Sequence, residues 1–189
     1  MRRKKRLLLL VAALAACAGF WVWRGQAPRF PRGIVIHHSA SRIFDGARPI
    51  GAEDIDRWHA ARGFGVLYEG RVYHIGYHYV IRADGVIEPG RPETCRGKHS
   101  KRGNDCLGIC LVGDFSSRDN PRGAKGPLRP TPRQMAALVR LCRDLLARHH
   151  LRVSSVRTHR QVDGDTECPG DRFPFARLLA ELRRASRNR

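Results

Sequence analysis

Acidic residues are scarce in this sequence, and so are aromatic ones. The 189 residues include 17 aspartates and glutamates against 36 lysines and arginines, which gives a formal net charge of +19. A field of this sign concentrates polyanions such as nucleic acid, anionic lipid headgroups or acidic cell-wall polymers. Aromatic side chains make up only 7% of the residues, too few for a base-stacking platform, and the basic residues are spread along the whole chain. We therefore expect no specific binding of nucleic acid.

Internal repeats are also absent, and the length corresponds to one domain with appendages, because a domain typically takes roughly 100–200 residues. The apolar fraction of 42% is ordinary and is enough to form a core. We place the domain at residues 33–184. A linker with proline and arginine precedes it at 24–32, and a basic tail follows it at 185–189.

Residues 1–23 have the pattern of a targeting segment. A basic stretch at 2–6 precedes an uninterrupted apolar run at 7–23, which is near the lower limit of the ~17–25 residues needed to span a bilayer. Because basic flanking residues stay in the cytoplasm, we predict a transmembrane anchor in the inner membrane with the domain on the periplasmic side. Two alternatives stay open, namely a lipoprotein acylated at Cys17 and a secreted domain.

Apolar runs and helical periodicities alternate along the rest of the chain. The predicted elements are strands at 34–36, 71–82, 86–87, 107–112 and 153–156, and helices at 54–62, from Thr131 and from about Pro174. At the second helix, Thr131, Pro132 and Gln134 form a capping box with proline at the first helical position. The alternation predicts a single α/β domain with a mixed central β-sheet flanked by helices.

Histidine and cysteine residues follow two of the predicted strands. His159 and Cys168 stand on either side of a turn that contains glycine and aspartate, and His37 and His38 come directly after the strand at 34–36. Zinc prefers imidazole and thiolate ligands, and a catalytic zinc takes three protein ligands. Successive strand side chains point to opposite faces, so only one of His37 and His38 can join this site. The pattern therefore predicts a His–His–Cys zinc site past the strand ends.

An ordered set of motifs resembles those of the zinc N-acetylmuramoyl-L-alanine amidases, which share a fold with peptidoglycan recognition proteins and phage amidase-lysozymes. The motifs include Ile36-His-His-Ser-Ala40, Asp56-Arg-Trp-His59, Ile75-Gly-Tyr-His-Tyr79, Pro89-Gly-Arg91, Leu107-Gly-Ile-Cys-Leu111, Thr131-Pro-Arg-Gln134, Thr158-His-Arg-Gln-Val162 and Thr166-Glu-Cys-Pro-Gly170. The resemblance covers nearly everything from Gly33 to Phe175. It implies a peptidoglycan-recognition-protein-like fold and zinc ligands at His37, His159 and Cys168.

The resemblance also implies roles for residues around the metal. Tyr77 would take part in catalysis, and Thr166 occupies a place where the family has either lysine or threonine. We expect His38, His99 and Arg96 to contact the substrate. In this interpretation the cationic surface faces a polymer that carries many carboxylates.

The sequence departs from the family pattern in two places. The interval from His159 to Cys168 is one residue longer than usual, and residues 163–165 are the site of the insertion. Cys106 stands where serine is common. Together with Cys95 it could form a disulfide in an oxidising compartment, and that disulfide would close the loop between them.

These implications predict a zinc-dependent hydrolase that cleaves the amide bond between N-acetylmuramic acid and L-alanine. Its partner would be peptidoglycan or soluble muropeptides, and we expect it to be a monomer. His99 and Glu167 are the candidates for proton transfer to the leaving amine. The alternative is a non-catalytic peptidoglycan-binding recognition or anchor protein, but such proteins typically lose the cysteine ligand, which this chain keeps as Cys168.

Overall fold

A five-stranded mixed β-sheet forms the centre of the domain. The computed structural model of the chain describes residues 30–187. The strands are β1 (Ile34–His38), β2 (Phe44–Asp45), β3 (Arg48–Pro49), β4 (Val66–Tyr68), β5 (Arg71–Tyr73), β6 (Tyr79–Ile81), β7 (Ile87–Pro89), β8 (Leu107–Leu111) and β9 (Val156–Thr158). The helices are α1 (Ala52–Ala60), α2 (Pro132–Arg148), α3 (His159–Asp163) and α4 (Phe175–Arg187). The predicted mixed α/β architecture is confirmed.

Strand β1 lies inside this sheet, whose order is β7-β6-β8-β1-β9. It pairs in parallel with β8, where His37 stands opposite Cys110, and in parallel with β9 on its other side. Parallel strands are normally covered on both faces, and all five residues of β1 are buried. Strand β7 runs antiparallel to β6 at the sheet edge.

The two faces of the sheet have different covers. Helices α2 and α4 cover one face, and the core there includes Ile34, Ile36, Leu107, Ile109, Leu111, Leu138, Leu145, Leu178 and Leu182. On the other face, Val80 and Cys110 pack in a smaller cluster with Ile55 of α1. Because side chains alternate along a strand, His37 points to this second face while Ile36 points to the first. Of the two histidines at the end of β1, His37 therefore lies on the second face.

The start of helix α2 agrees with the prediction. Thr131 Oγ1 accepts a hydrogen bond from the backbone N–H of Gln134 at 3.0 Å, and Gln134 Oε1 accepts one from the N–H of Thr131 at 3.1 Å. The amide of Gln134 also donates to the carbonyl oxygens of Ile81 and Val112, at 3.2 and 2.9 Å. One buried side chain thus caps α2 and joins it to the ends of β6 and β8.

The predicted continuous strand at 71–82 is wrong. Strands β5 and β6 are separated by residues 74–78, because the carboxylate of Asp56 accepts hydrogen bonds from the N–H groups of His74 and Ile75 at 2.8 and 2.7 Å. Strand β5 pairs instead with β4 in a separate hairpin, which the periodicity did not predict. Residues 74–78 therefore belong to no strand, and their side chains do not follow the alternation of the sheet.

Two further details differ from the sequence predictions. The helical spacing of Ile55, Trp58 and Ala61 predicts that these residues face the sheet, but Trp58 is 40% exposed, whereas His59 is buried. Its Nδ1 accepts the backbone N–H of Gly76 at 2.9 Å, which explains why α1 turns this histidine inward. The predicted strand at 153–156 is a 3₁₀ turn over most of its length, and sheet pairing starts only with β9.

Cys95 and Cys106 are free thiols, so the structure does not form the predicted disulfide. The loop between them is closed by Asn104 instead. Its side-chain oxygen accepts hydrogen bonds from the backbone N–H groups of His99 and Ser100, at 2.8 and 3.0 Å. These polar contacts hold the loop without a covalent link.

The predicted anchor at residues 1–23, including Cys17, lies outside the described residues, as does most of the linker. Within residues 30–187, no helix is long and apolar enough to cross a bilayer. The domain bounds at 33–184 and the basic tail at 185–189 stay predictions.

We predict that Gln134→Ala lowers the free energy of unfolding by about 1–3 kcal/mol, because it leaves buried carbonyl groups with fewer partners and removes half of the capping box. The matched control is Arg140→Ala on the exposed side of α2, which should change it by less than about 0.5 kcal/mol. Urea unfolding of the two variants measures both values. Equal effects would contradict the bridging role of Gln134.

Candidate active site

The two histidines at the end of β1 lie on opposite faces of the sheet. His37 is fully buried on the face away from α2 and α4. His38 lies on the other face, against the ring of Phe115, and its Nδ1 accepts the N–H of Phe115 at 3.2 Å. Of this pair, His37 therefore points toward the other predicted ligands.

His159 and Cys168 lie close to His37, on the segment that follows the neighbouring strand β9. His159 is the first residue of α3, which begins directly after β9, the parallel neighbour of β1. Cys168 follows in the loop after α3, and its Sγ lies 3.6 Å from His37 Nδ1. One potential ligand atom from each of the three residues lies within 4.8 Å of the others. The structure thus brings together the three side chains that the sequence selected.

The ring of His99 determines which nitrogen of His37 faces this cluster. His99 Nε2 lies 3.1 Å from the carbonyl oxygen of Cys106, which can only accept, so this nitrogen carries the proton. Burial, together with the neighbouring His78, lowers the pKa of His99 to about 3, so the ring is neutral and its Nδ1 accepts. His37 Nε2 must then donate to it, at 3.1 Å. The lone pair on His37 Nδ1 is left free and faces Cys168.

His159 is held in the same way by a carboxylate. Its Nε2 donates to Oδ2 of Asp163 at 2.7 Å. Burial opposes the ionisation of Asp163, but donors that include the backbone N–H of Lys101 and the hydroxyl of Ser100 lower its pKa to about 2. A carboxylate that is ionised only accepts, so Nδ1 of His159 is the nitrogen available to the cluster.

The chemistry of this donor set fits zinc. Imidazole and thiolate are ligands that zinc binds, and a catalytic zinc site takes three protein ligands. Burial, with smaller contributions from His99 and His159, lowers the pKa of His37 well below its usual value, which keeps its lone pair free. Burial also raises the pKa of the Cys168 thiol to about 12. A dication reverses this preference, because a coordinating thiol loses its proton.

Tyr77 stands beside the cluster, in the segment that interrupts the predicted strand. Its ring centroid lies 5.0 Å from that of His37 and 5.4 Å from that of His59. Burial, followed by the nearby Cys110 and Cys168, raises the pKa of Tyr77 well above its usual value. The phenol therefore keeps its proton and can donate a hydrogen bond.

An open cleft of about 580 Å³ meets the cluster at His159. Its lining includes the rings of Tyr77, His99 and His159, the hydroxyl-bearing Thr166, and three exposed cations, Arg62, Lys98 and Lys101. The ammonium of Lys101 pairs with Asp165, and that of Lys98 lies 5.8 Å from the ring centroid of Phe64. The cleft combines one of the three possible metal ligands, His159, with positive charge, as a site for an anionic substrate requires.

A second cleft, of about 780 Å³, lies between α1, β6 and β7. Three of its four carboxylates are bonded within the chain. Asp56 accepts from the segment after β5, Glu88 accepts the N–H of Ala52 at 2.6 Å, and Glu93 contacts Arg148 at 2.6 Å. These groups hold the fold together, and the cleft contains no His–Cys cluster among its described lining residues.

Several predicted substrate contacts lie elsewhere. His38 is on the opposite face of the sheet, and Arg96 is exposed but does not line the cleft of the His–His–Cys cluster. His99 does line the cleft, but its two ring nitrogens bond to the protein. Glu167 is exposed and lies 3.6 Å from Arg118, and it lines a different cleft from Tyr77. The cations that line the cleft are Arg62, Lys98 and Lys101, none of which was among the predicted substrate contacts.

Fold and site together define the class: an α/β domain of the amidase and peptidoglycan-recognition type. A model of the family "N-acetylmuramoyl-L-alanine amidase" matches residues 26–171. The chain is 32% identical over 137 residues to the endolysin of Escherichia phage T7, covering 72% of this chain and 78% of the endolysin. The chain therefore belongs to the N-acetylmuramoyl-L-alanine amidase family, and the similarity supports peptidoglycan amidase activity.

Solved structures agree with this assignment. The amidase LysC from Clostridium intestinale is 34% identical, with a TM-score of 0.63 over 82% of this chain and 86% of LysC. The peptidoglycan recognition protein PGRP-LB of Drosophila is 27% identical, with a TM-score of 0.55 over 82% and 81% of the two chains. Both the predicted family and the predicted peptidoglycan-recognition-protein-like fold are confirmed.

Gly108 of strand β8 provides a test of the position of the His99 ring. A Cβ atom at Gly108 would lie 2.4 Å from Cδ2 of His99, whose two ring nitrogens are both bonded. We predict that Gly108→Ala lowers the free energy of unfolding of the metal-free protein by about 1–3 kcal/mol. In Gly65→Ala the nearest atoms are 3.7 Å away, so that control should change little. An unchanged Gly108→Ala in urea unfolding would contradict the position of His99.

Proposed function

We propose that this protein is a zinc-dependent hydrolase of the amide bond between N-acetylmuramic acid and L-alanine in peptidoglycan. The observation that carries the proposal is the convergence of His37, His159 and Cys168, with potential ligand atoms within 4.8 Å of one another, beside an open cleft that His159 lines. Family membership supports the same bond as the target. Names of relatives such as endolysin and PGRP-LB agree with peptidoglycan as the substrate polymer.

The residues that would hold the ion are His37 and His159 through Nδ1, and Cys168 through Sγ. When bound, zinc supplies Lewis acidity, which polarises a carbonyl group and lowers the pKa of a water molecule to about 7. The protein supplies the orientation of the ligands. The backbone N–H of His38 also donates to Cys168 Sγ at 3.4 Å, a contact that favours the thiolate form.

Tyr77 is the proposed hydrogen-bond donor to the scissile carbonyl oxygen as negative charge develops there. Its raised pKa keeps the hydroxyl protonated, and it lines the same cleft as His159. Thr166 Oγ1 accepts the N–H of Cys168 at 3.2 Å, so its own hydroxyl hydrogen remains available to a second acceptor. A threonine at this place supplies a hydrogen bond but no charge. The main charge stabilisation is therefore assigned to the metal site and Tyr77.

Cations around the cleft support an anionic substrate. Arg62, Lys98 and Lys101 lie on its lining, and peptide stems carry carboxylates. Exposed charges of this kind attract a substrate over a Debye length of roughly 8–10 Å. We assign them to binding and orientation of the stem peptide.

The proposal also includes an envelope location, supported by the sequence pattern of residues 1–23. The apolar run at 7–23 would anchor the protein in the inner membrane, with the domain in the periplasm. Acylation at Cys17 and secretion are the alternatives. Membrane fractionation tests this part, and recovery of the full chain in the soluble fraction would contradict the anchor.

We predict that Cys168→Ala abolishes both zinc binding and the release of stem peptides from purified sacculi, because the site loses its only thiolate among the three proposed ligands. Elemental analysis and mass spectrometry of the digest measure the two effects. Cys142→Ala, which removes a buried thiol of α2, should keep both. Hydrolysis that is equally fast after removal of zinc by a chelator would contradict the metal mechanism.

Tyr77→Phe should retain zinc but lower the turnover number about 10²–10³-fold, since it removes one donor to the developing oxyanion. The matched control is Tyr79→Phe. The hydroxyl of Tyr79 donates to Glu93, away from the cluster, so its loss should leave turnover nearly unchanged. A non-catalytic recognition protein would bind sacculi but release no stem peptide before or after either substitution, and that result would favour the alternative function.

A further inference from the structure

Asp163 lies in the segment that makes the interval between His159 and Cys168 longer than usual in the family. Helix α3 ends there, because Gly164 adopts a left-handed conformation with φ of 82°. Within a helix, residues four apart lie on the same face. Asp163 is therefore placed next to His159 by the spacing of four residues within α3, and its side chain is buried.

The carboxylate of Asp163 accepts four hydrogen bonds, two at each oxygen. Oδ1 accepts the hydroxyl of Ser100 at 2.8 Å and the backbone N–H of Arg102 at 3.0 Å. Oδ2 accepts the N–H of Lys101 at 2.8 Å and Nε2–H of His159 at 2.7 Å. Two acceptor positions per oxygen is the full capacity of a carboxylate. Each of these positions has a defined partner.

This arrangement connects the two imidazoles of the cluster. The segment 100–102 that Asp163 holds follows directly on His99, whose ring accepts the hydrogen bond from His37. Asp163 thus contacts one imidazole directly and fixes the loop that orients the other. A side chain with a purely structural role would need the three loop contacts but not the fourth, to His159.

We propose that Asp163 is a positioning residue for the metal site, which selects the tautomer of His159 with the proton on Nε2 and the free lone pair on Nδ1. The inference rests on the proposed function, because it concerns the same zinc site. Outer carboxylate partners of histidine ligands typically change metal affinity 10–100-fold when they are removed. In this protein the carboxylate that contributes to metal affinity in this way is Asp163, which lies in the lengthened segment.

The first experiment measures the dissociation constant of zinc in the full chain by competition with a chromogenic chelator. We expect Asp163→Ala to bind zinc about 10–100-fold more weakly than the unchanged protein. The matched control is Asp165→Ala, two residues away. It removes the same charge from an exposed position where Asp165 pairs with Lys101, so zinc affinity should stay within about twofold because exposed pairs contribute little.

Ser100→Ala separates the two roles of the carboxylate. It removes one loop contact to Asp163 but leaves the contact to His159. We expect it to lower the thermal unfolding midpoint while zinc affinity stays close to that of the unchanged protein. If Ser100→Ala weakened zinc binding as much as Asp163→Ala, the effect would come from the loop and the proposal would be overturned.

The second experiment reads the tautomers directly, by nitrogen-15 NMR of the imidazoles in the unchanged, zinc-free protein. His159 should carry its proton on Nε2, and so should His37. In Asp163→Ala, His159 should become a mixture of tautomers, while His37, whose partner is His99, should stay as it was. A predominant Nδ1–H form of His159 in the unchanged protein would overturn the proposal even if Asp163→Ala failed to fold.

The outcomes also separate this inference from the proposed function. If the unchanged protein bound no zinc, the proposed function would fail at its first step. If the unchanged protein and Asp163→Ala bound zinc equally well, the function would stand and the role of Asp163 would be wrong.

Discussion

The parallel pairing of β1 with β9 is the constraint on which the site depends. It brings the carboxyl ends of two strands side by side, so that a histidine at the end of β1 and a histidine after β9 reach the same space. The ring centroids of His37 and His159 are 4.5 Å apart. The third side chain of the cluster, the thiol of Cys168, then needs only a short loop after α3. Without this register, three residues separated by up to 131 positions could not meet.

A polar group that is taken out of water is costly unless it has a hydrogen-bond partner. In this protein the outer nitrogen of His37 bonds to His99 and that of His159 bonds to Asp163. Each partner is itself held by the backbone of the 99–106 loop. The polar network therefore stabilises the loop and presents the inner nitrogens in one orientation, which links the stability of the fold to the geometry of the site.

The sequence predicted the sheet-and-helix architecture and the three clustered residues, and the reasons for its failures are physical. β1 is buried on both faces, so apolar periodicity could not choose between His37 and His38, and only the resemblance did. The strand predicted at 71–82 is interrupted by contacts with Asp56, which is distant in sequence. The roles of His99 and Asp163 arise from bonds across 62 positions that no local pattern encodes.

The central claim is that two imidazoles and one thiolate of this chain bind a single zinc ion. X-ray absorption at the zinc edge of the metal-loaded protein tests it most directly. The account predicts one sulfur at about 2.3 Å and a shell of nitrogen and oxygen at about 2.0–2.1 Å, two of whose members are imidazoles. A spectrum without a sulfur scatterer, or with two of them, would contradict the account.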